Sequence, residues 1–109
     1  TQYGFLSGSS THADRVATIR DCYERLGIMI DPHTADGVKV ARELRDEVDT
    51  PIVCLETALP VKFAHTIKEA TGREPDLPDR FTTIMQAERH VTDLPNDVDV
   101  VKDFIAAND

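Results

Sequence analysis

The sequence predicts a three-layer αβα (Rossmann-like) arrangement of the α/β class, a partial domain with a small, mainly parallel sheet. Ile52-Val53-Cys54-Leu55 is continuously apolar and short, the pattern of a strand buried on both faces. Elsewhere apolar residues recur mainly at helical spacing, so the few short strands are expected to be joined by helical crossovers. Glu56 and Thr57 then break the apolar run, and Pro60, which has no N–H to lose, suits a first helical turn. Thr57 is thereby predicted at the carboxyl end of a strand, the edge where open α/β sheets bind ligands.

Each element has its own local reason. Residues 1–10 hold Gly4, Ser7, Gly8, Ser9 and Ser10 and read as a flexible lead-in, since the serine–glycine run matches no phosphate-loop motif. Thr11 with Asp14 resembles a capping box. Val16, Ile19, Tyr23 and Leu26 follow at helical spacing and Gly27 ends the pattern, giving a helix over 12–26. Ile28-Met29-Ile30 is a short apolar segment. Asp31-Pro32 reads as N-cap and first-turn proline of a second helix, with Ala35, Val38, Ala41, Leu44 and Val48 on its apolar face. Gly37 inside that helix costs about 1 kcal/mol relative to Ala unless something packs close there. After the strand at 52–55, a helix over 60–71 buries Val61, Ala64, Ile67 and Ala70 and stops at Gly72. Arg73 to Pro78 is a loop, and Asp79 to Ala87 a short helix presenting Phe81, Ile84 and Met85. His90 to Leu94 alternates weakly as a strand. Asn96 caps a last helix with Val98, Val101 and Ile105 inward.

Composition bounds the function. The 109 residues suit one domain, 1–109, and the net charge of −8 argues against nucleic acid or an anionic membrane as partner. No apolar run approaches the roughly 18 residues of a membrane span. Cys22 and Cys54 are read as reduced thiols, Cys54 in the buried strand. The chain begins at Thr1 rather than Met, which suggests part of something longer.

The candidate chemistry is sparse. His12, His33, His65 and His90 have neither mutual nor cysteine spacing suited to a metal, and no dinucleotide or Walker-type glycine loop is present. Two spots remain, the strand end at Glu56-Thr57 and the helix start at Asp31 to Thr34. Asp31 as a mere cap and Thr57 as a mere turn residue are respectable readings. Against them stand two proline-opened helix starts whose N–H groups could meet an anion, with Lys62 one turn in.

These same motifs resemble the threonine synthase family, pyridoxal-phosphate enzymes of the tryptophan-synthase-β fold type. The segments are Ile30-Asp31-Pro32-His33-Thr34-Ala35-Asp36-Gly37 and Glu56-Thr57-Ala58-Leu59-Pro60-Val61-Lys62-Phe63. Residues 17–24 resemble the helix before the first motif, and 96–105 the family's final helix. Leu59 stands where many members carry His, so no imidazole is carried over at that position.

The resemblance implies a cytoplasmic lyase that converts O-phosphohomoserine and water to threonine and phosphate with pyridoxal 5'-phosphate. It implies that Thr57 contacts the cofactor and that His33 and Thr34 are substrate-cleft candidates. The family's imine-forming lysine and glycine-rich phosphate loop resemble nothing in this chain. It is therefore expected to be a carboxyl-terminal portion, inactive alone, whose partners are the small-molecule substrate and the remainder of the parent enzyme. The alternative is a freestanding acidic α/β module that binds a small anion or a protein. A receiver-like signalling domain would need an acidic cluster at strand ends, which Glu56 alone does not supply.

Overall fold

The helix over 12–26 forms as its caps predict. In the computed structural model, which describes residues 3–83 and 86–108, α1 spans His12–Leu26. Thr11 accepts from the Asp14 N–H (3.3 Å), and the Asp14 carboxylate accepts from the Thr11 N–H (2.8 Å). Gly27 closes the helix at φ 67°, where a side chain would be strained. Helix α2, Pro32–Glu43, starts at the Asp31 cap as expected, but ends short of Val48. Arg45–Glu47 instead tightens into a 3-10 turn, with the Arg45 guanidinium donating to the Val48 carbonyl (2.9 Å). Pro60–Phe63 is likewise a 3-10 turn, and α3 spans only Ala64–Thr71 before Gly72.

The chain divides into two units, Thr1–Pro78 and Asp79–Asp109. In the first, α1 packs against both α2 and α3. The core is small: Ile19 and Cys22 from α1, Ile30, Ala35 from α2, and Ile67 and Ala70 from α3, flanked by Val16, Met29 and Val38. Polar contacts tie the same helices together. Arg15 Nε donates to both oxygens of Asp36 (2.8 and 2.9 Å), Arg42 pairs with Asp21 (2.9 Å), and Arg20 Nε caps the Ala70 carbonyl (2.9 Å). The buried face of α1 holds Thr18, Ile19 and Cys22, while Leu26 of the expected stripe is exposed.

The serine-rich lead-in is not free. Lys39 Nζ donates to the Ser9 carbonyl (2.7 Å), and a Cβ on Gly8 would stand 2.9 Å from a Val40 methyl carbon. Backbone therefore lies directly on α2 at that point.

In the second unit, Asp79–Phe81 is a single 3-10 turn where a helix to Ala87 was expected; Ile84 and Met85 lie outside the described residues. Helix α4 spans Val98–Ala107 and is capped by Asp97 rather than Asn96, Asp97 accepting from the Asp99 and Val100 N–H groups (2.9 and 3.2 Å). Its expected inward residues Val98, Val101 and Ile105 are all exposed.

The three-layer αβα expectation is overturned: the described residues contain helices and no strand. Residues 52–55 have no regular structure, Val53 is 80% and Leu55 77% exposed, and Cys54 is exposed rather than buried. The physical reason is that a strand is a property of a pair. Its N–H and C=O groups need a lateral partner, and none of the segments 28–30, 52–55 and 90–94 forms a ladder.

Gly37 tests the balance of propensity and packing. It is exposed in the middle of α2, and a Cβ there would meet nothing within 4 Å. Gly37→Ala should therefore stabilise this chain by about 1 kcal/mol, read as a higher urea midpoint in circular dichroism.

Candidate functional site

The site is built on the start of α2. Asp31 stands in extended conformation (φ −76°, ψ 163°) and Pro32 fixes the first helical turn. The Asp31 carboxylate accepts from the His33 N–H (2.9 Å) through one oxygen and from the Thr34 hydroxyl through the other. Asp31 is 0% exposed and Thr34 6%, with Ile30 and Ala35 buried around them. Both carboxylate oxygens are thus engaged, which is what a buried carboxylate requires. The negative charge at this helix start belongs to Asp31 itself, so the place expected for an outside anion is already filled.

The second motif is open by comparison. Glu56 and Thr57 are exposed in an irregular segment that bends at Ala58. Among the described residues the Thr57 hydroxyl has no hydrogen-bond partner, so it ties down no turn. Pro60–Phe63 forms its 3-10 turn with the Lys62 N–H on the Leu59 carbonyl (3.1 Å), and too short a helix follows Pro60 to offer an α-helical N-terminus there. Phe63 makes the joint to α3 at φ −125°, ψ 36°.

One contact joins the two motifs. The rings of His33 and Phe63 meet edge to face, with centroids 5.0 Å apart and planes at 81°. No local pattern in the sequence signals this pairing, since Phe63 is there only the last residue of its motif. His33 is exposed and Thr34 buried beside it, and among the described residues neither hydrogen-bonds to Thr57.

Two clefts lie nearby. One, of about 310 Å³, is lined by Val38, Ala41, Arg42, Arg45, Ile52 and Cys54. The other, of about 190 Å³, lies between Met29, the Leu59–Val61 corner and the Pro75–Pro78 loop. Thr57, His33 and Thr34 line neither. Among the described residues no three His, Cys, Asp or Glu side chains gather to hold a metal ion, and no helix is long and apolar enough to cross a membrane.

Comparison with known proteins places this arrangement. Residues 34–105, well over half of the chain, match the family model described as threonine synthase, C-terminal. A threonine synthase of Corynebacterium glutamicum is 66% identical over 95% of the chain, and one of Methylobacillus glycogenes 48% identical over 94%. In each case the matched region is 22% of the relative, so the chain spans about a fifth of the curated relatives it matches. Among solved structures, a PLP-bound threonine synthase from Brucella melitensis aligns with a TM-score of 0.75 at 37% identity, covering 97% of this chain and 23% of that one. The chain belongs to the threonine synthase family and corresponds to its carboxyl-terminal region.

The buried cap gives a direct test. Asp31→Ala removes the acceptor for the His33 N–H and the Thr34 hydroxyl together, and should destabilise the chain by about 1–3 kcal/mol. Asp31→Asn, which keeps an acceptor oxygen at the cap, should cost less. Urea unfolding of the two variants checks the order; equal midpoints for wild type and Asp31→Ala would mean the cap contributes nothing.

Proposed function

We propose that this chain is the carboxyl-terminal part of a pyridoxal-phosphate-dependent lyase that converts O-phosphohomoserine and water to threonine and phosphate. The observation that carries the reading is the family match along nearly the whole chain, including a relative whose structure holds PLP. Whenever it is bound, pyridoxal phosphate supplies an electron sink for carbanions next to its imine.

The residues present fit one side of such a site. Thr57 offers an exposed hydroxyl with no partner among the described residues, suited to hydrogen-bond the pyridine nitrogen without placing a full charge beside it. A carboxylate at that position would hold a proton on the ring. His33 and Thr34, positioned by the Asp31 cap, are the substrate-cleft residues in this reading.

Lys39, Lys68 and Lys102 fit the other side poorly. An imine-forming amine must lose its proton to attack. Glu43 beside Lys39 and Glu74 beside Lys68 accept hydrogen bonds from these ammonium groups and push both above the usual lysine range, favouring the protonated form. Lys102 stands 3.6 Å from Asp99. No segment of this chain, Lys62 and its neighbours included, resembles the family's imine-forming lysine site or its phosphate-binding loop, so both are assigned to the remainder of the parent protein, which is the partner of this chain. The free cysteines Cys22 and Cys54 agree with a reducing compartment, the cytoplasm.

This chain, incubated with pyridoxal phosphate and O-phosphohomoserine, should release no phosphate. Turnover that disappears on mutating one of its own lysines would overturn the assignment.

In the full-length enzyme, Thr57→Ala should weaken cofactor binding by about tenfold or less, since a neutral hydrogen bond contributes about 0.5–1.5 kcal/mol net. Thr57→Asp should perturb the cofactor absorbance more, by favouring ring protonation. Unchanged absorbance, affinity and rate in both variants would reduce Thr57 to a surface residue.

A further inference from the structure

His33 is exposed, yet it is pinned at two points. Its backbone N–H donates to the fully buried Asp31 carboxylate (2.9 Å), and Pro32 fixes the chain just before it. Its ring meets Phe63 edge to face, with centroids 5.0 Å apart. Phe63 is itself half-buried and anchored, because it starts the helix that buries Ile67 (0% exposed) and Ala70 (3%) in the core. Among the described residues neither nitrogen of the His33 ring has a hydrogen-bond partner. An imidazole with a fixed backbone, a fixed ring plane and free nitrogens is preorganised for a polar ligand. Ordering it beforehand lowers the entropy lost when that ligand binds.

We propose that Phe63 is a positioning residue of the active site, holding the His33 imidazole edge to face so that its nitrogens are set to hydrogen-bond an oxygen of the phosphorylated amino-acid substrate. The proposal rests on the reading of His33 as a substrate-cleft residue. It assigns the coupling of the two motif segments to one aromatic contact. Edge-to-face pairs favour this arrangement because the positive rim of one ring meets the negative face of the other. An aliphatic side chain fills similar space but sets no ring plane. Phe63 therefore acts on substrate only through His33.

The test has two arms. In this chain, the His33 ring protons should show a ring-current displacement in proton NMR. Phe63→Leu should move them toward free-histidine values, and Phe63→Tyr should hold them. In the full-length enzyme, Phe63→Leu should raise the KM for O-phosphohomoserine roughly three- to tenfold, with a smaller change in kcat. Phe63→Tyr should recover most of the loss. In a His33→Ala background Phe63→Leu should add nothing further, the sign of action through one group. Phe63→Met replaces the leucine variant if circular dichroism finds the latter unfolded.

Additive effects of the two substitutions would make Phe63 a purely structural residue. An unchanged KM in Phe63→Leu, or His33 resonances indifferent to it, would equally overturn the proposal. A full-length enzyme with no turnover of this substrate sinks the wider functional reading and this one with it. A silent Phe63→Leu in an active enzyme, with Thr57 variants that still perturb the cofactor, sinks this one alone.

Discussion

The Asp31 carboxylate is fully buried and accepts hydrogen bonds from the His33 N–H and the Thr34 hydroxyl. Those donors meet the requirement that burial imposes on a charge, and the positive end of the helix adds to them. Moving the start of α2 by one residue would strip the carboxylate of its partners, so the register of that helix is tightly set. With the register set, Asp36 faces Arg15 and Arg42 faces Asp21, and α2 is clamped to α1 along its length. Surface ion pairs of this kind contribute little each, typically below about 1 kcal/mol. Their value here is geometric, since they can form only once the cap has fixed the rotation of α2.

Most caps and the glycine stops were the legible part of the sequence because they act within a few residues; the last helix, capped by Asp97 rather than Asn96, was off by one. Thr11 with Asp14, Gly27, Asp31-Pro32 and Gly72 all behave as their local chemistry dictates. Faces were less legible. Val16, Ile19, Tyr23 and Leu26 form the more apolar stripe of α1, but the helix buries Thr18, Ile19 and Cys22. A helix buries whichever face its neighbours cover, and with α2 and α3 on adjacent sides the covered face rotates toward the smaller residues. Thr18 and Cys22 permit closer helix approach than Tyr23 or Leu26 would. The sequence stripe records hydrophobicity, whereas the packed face also records size.

The strand at 52–55 was illegible for a deeper reason. Ile52, Val53 and Leu55 have the β-branched and apolar character of a strand, and nothing in their own composition reveals that a ladder partner is missing. Hydrophobic periodicity reports the surroundings a segment suits. It cannot report whether this chain provides them. The same holds for α4, whose Val98, Val101 and Ile105 follow a helical apolar pattern and remain exposed. Of the candidate site, the two motifs were visible in the sequence, while the His33–Phe63 contact that joins them was not. That contact depends on how α1 positions α2 and α3 against one another, which no local pattern encodes.

The two halves of the candidate site consequently differ in what holds them. Asp31, Thr34 and the His33 backbone are fixed by hydrogen bonds inside this chain, closed before any ligand arrives. Thr57 lies in an exposed irregular segment with its hydroxyl unengaged among the described residues. A hydroxyl whose hydrogen bond is already made inside the chain gains little by turning to a ligand, whereas a free one gains a partner at low cost. By that argument the buried Thr34 serves shape, and Thr57 and His33 are the groups able to form new hydrogen bonds. Phe63 stands between them in the structure's logic, at the joint where the Thr57 segment enters α3 and its ring reaches His33. Rigidity at the α2 start can therefore pass toward the Thr57 side directly through that ring, beside the packing of α1 against both α2 and α3.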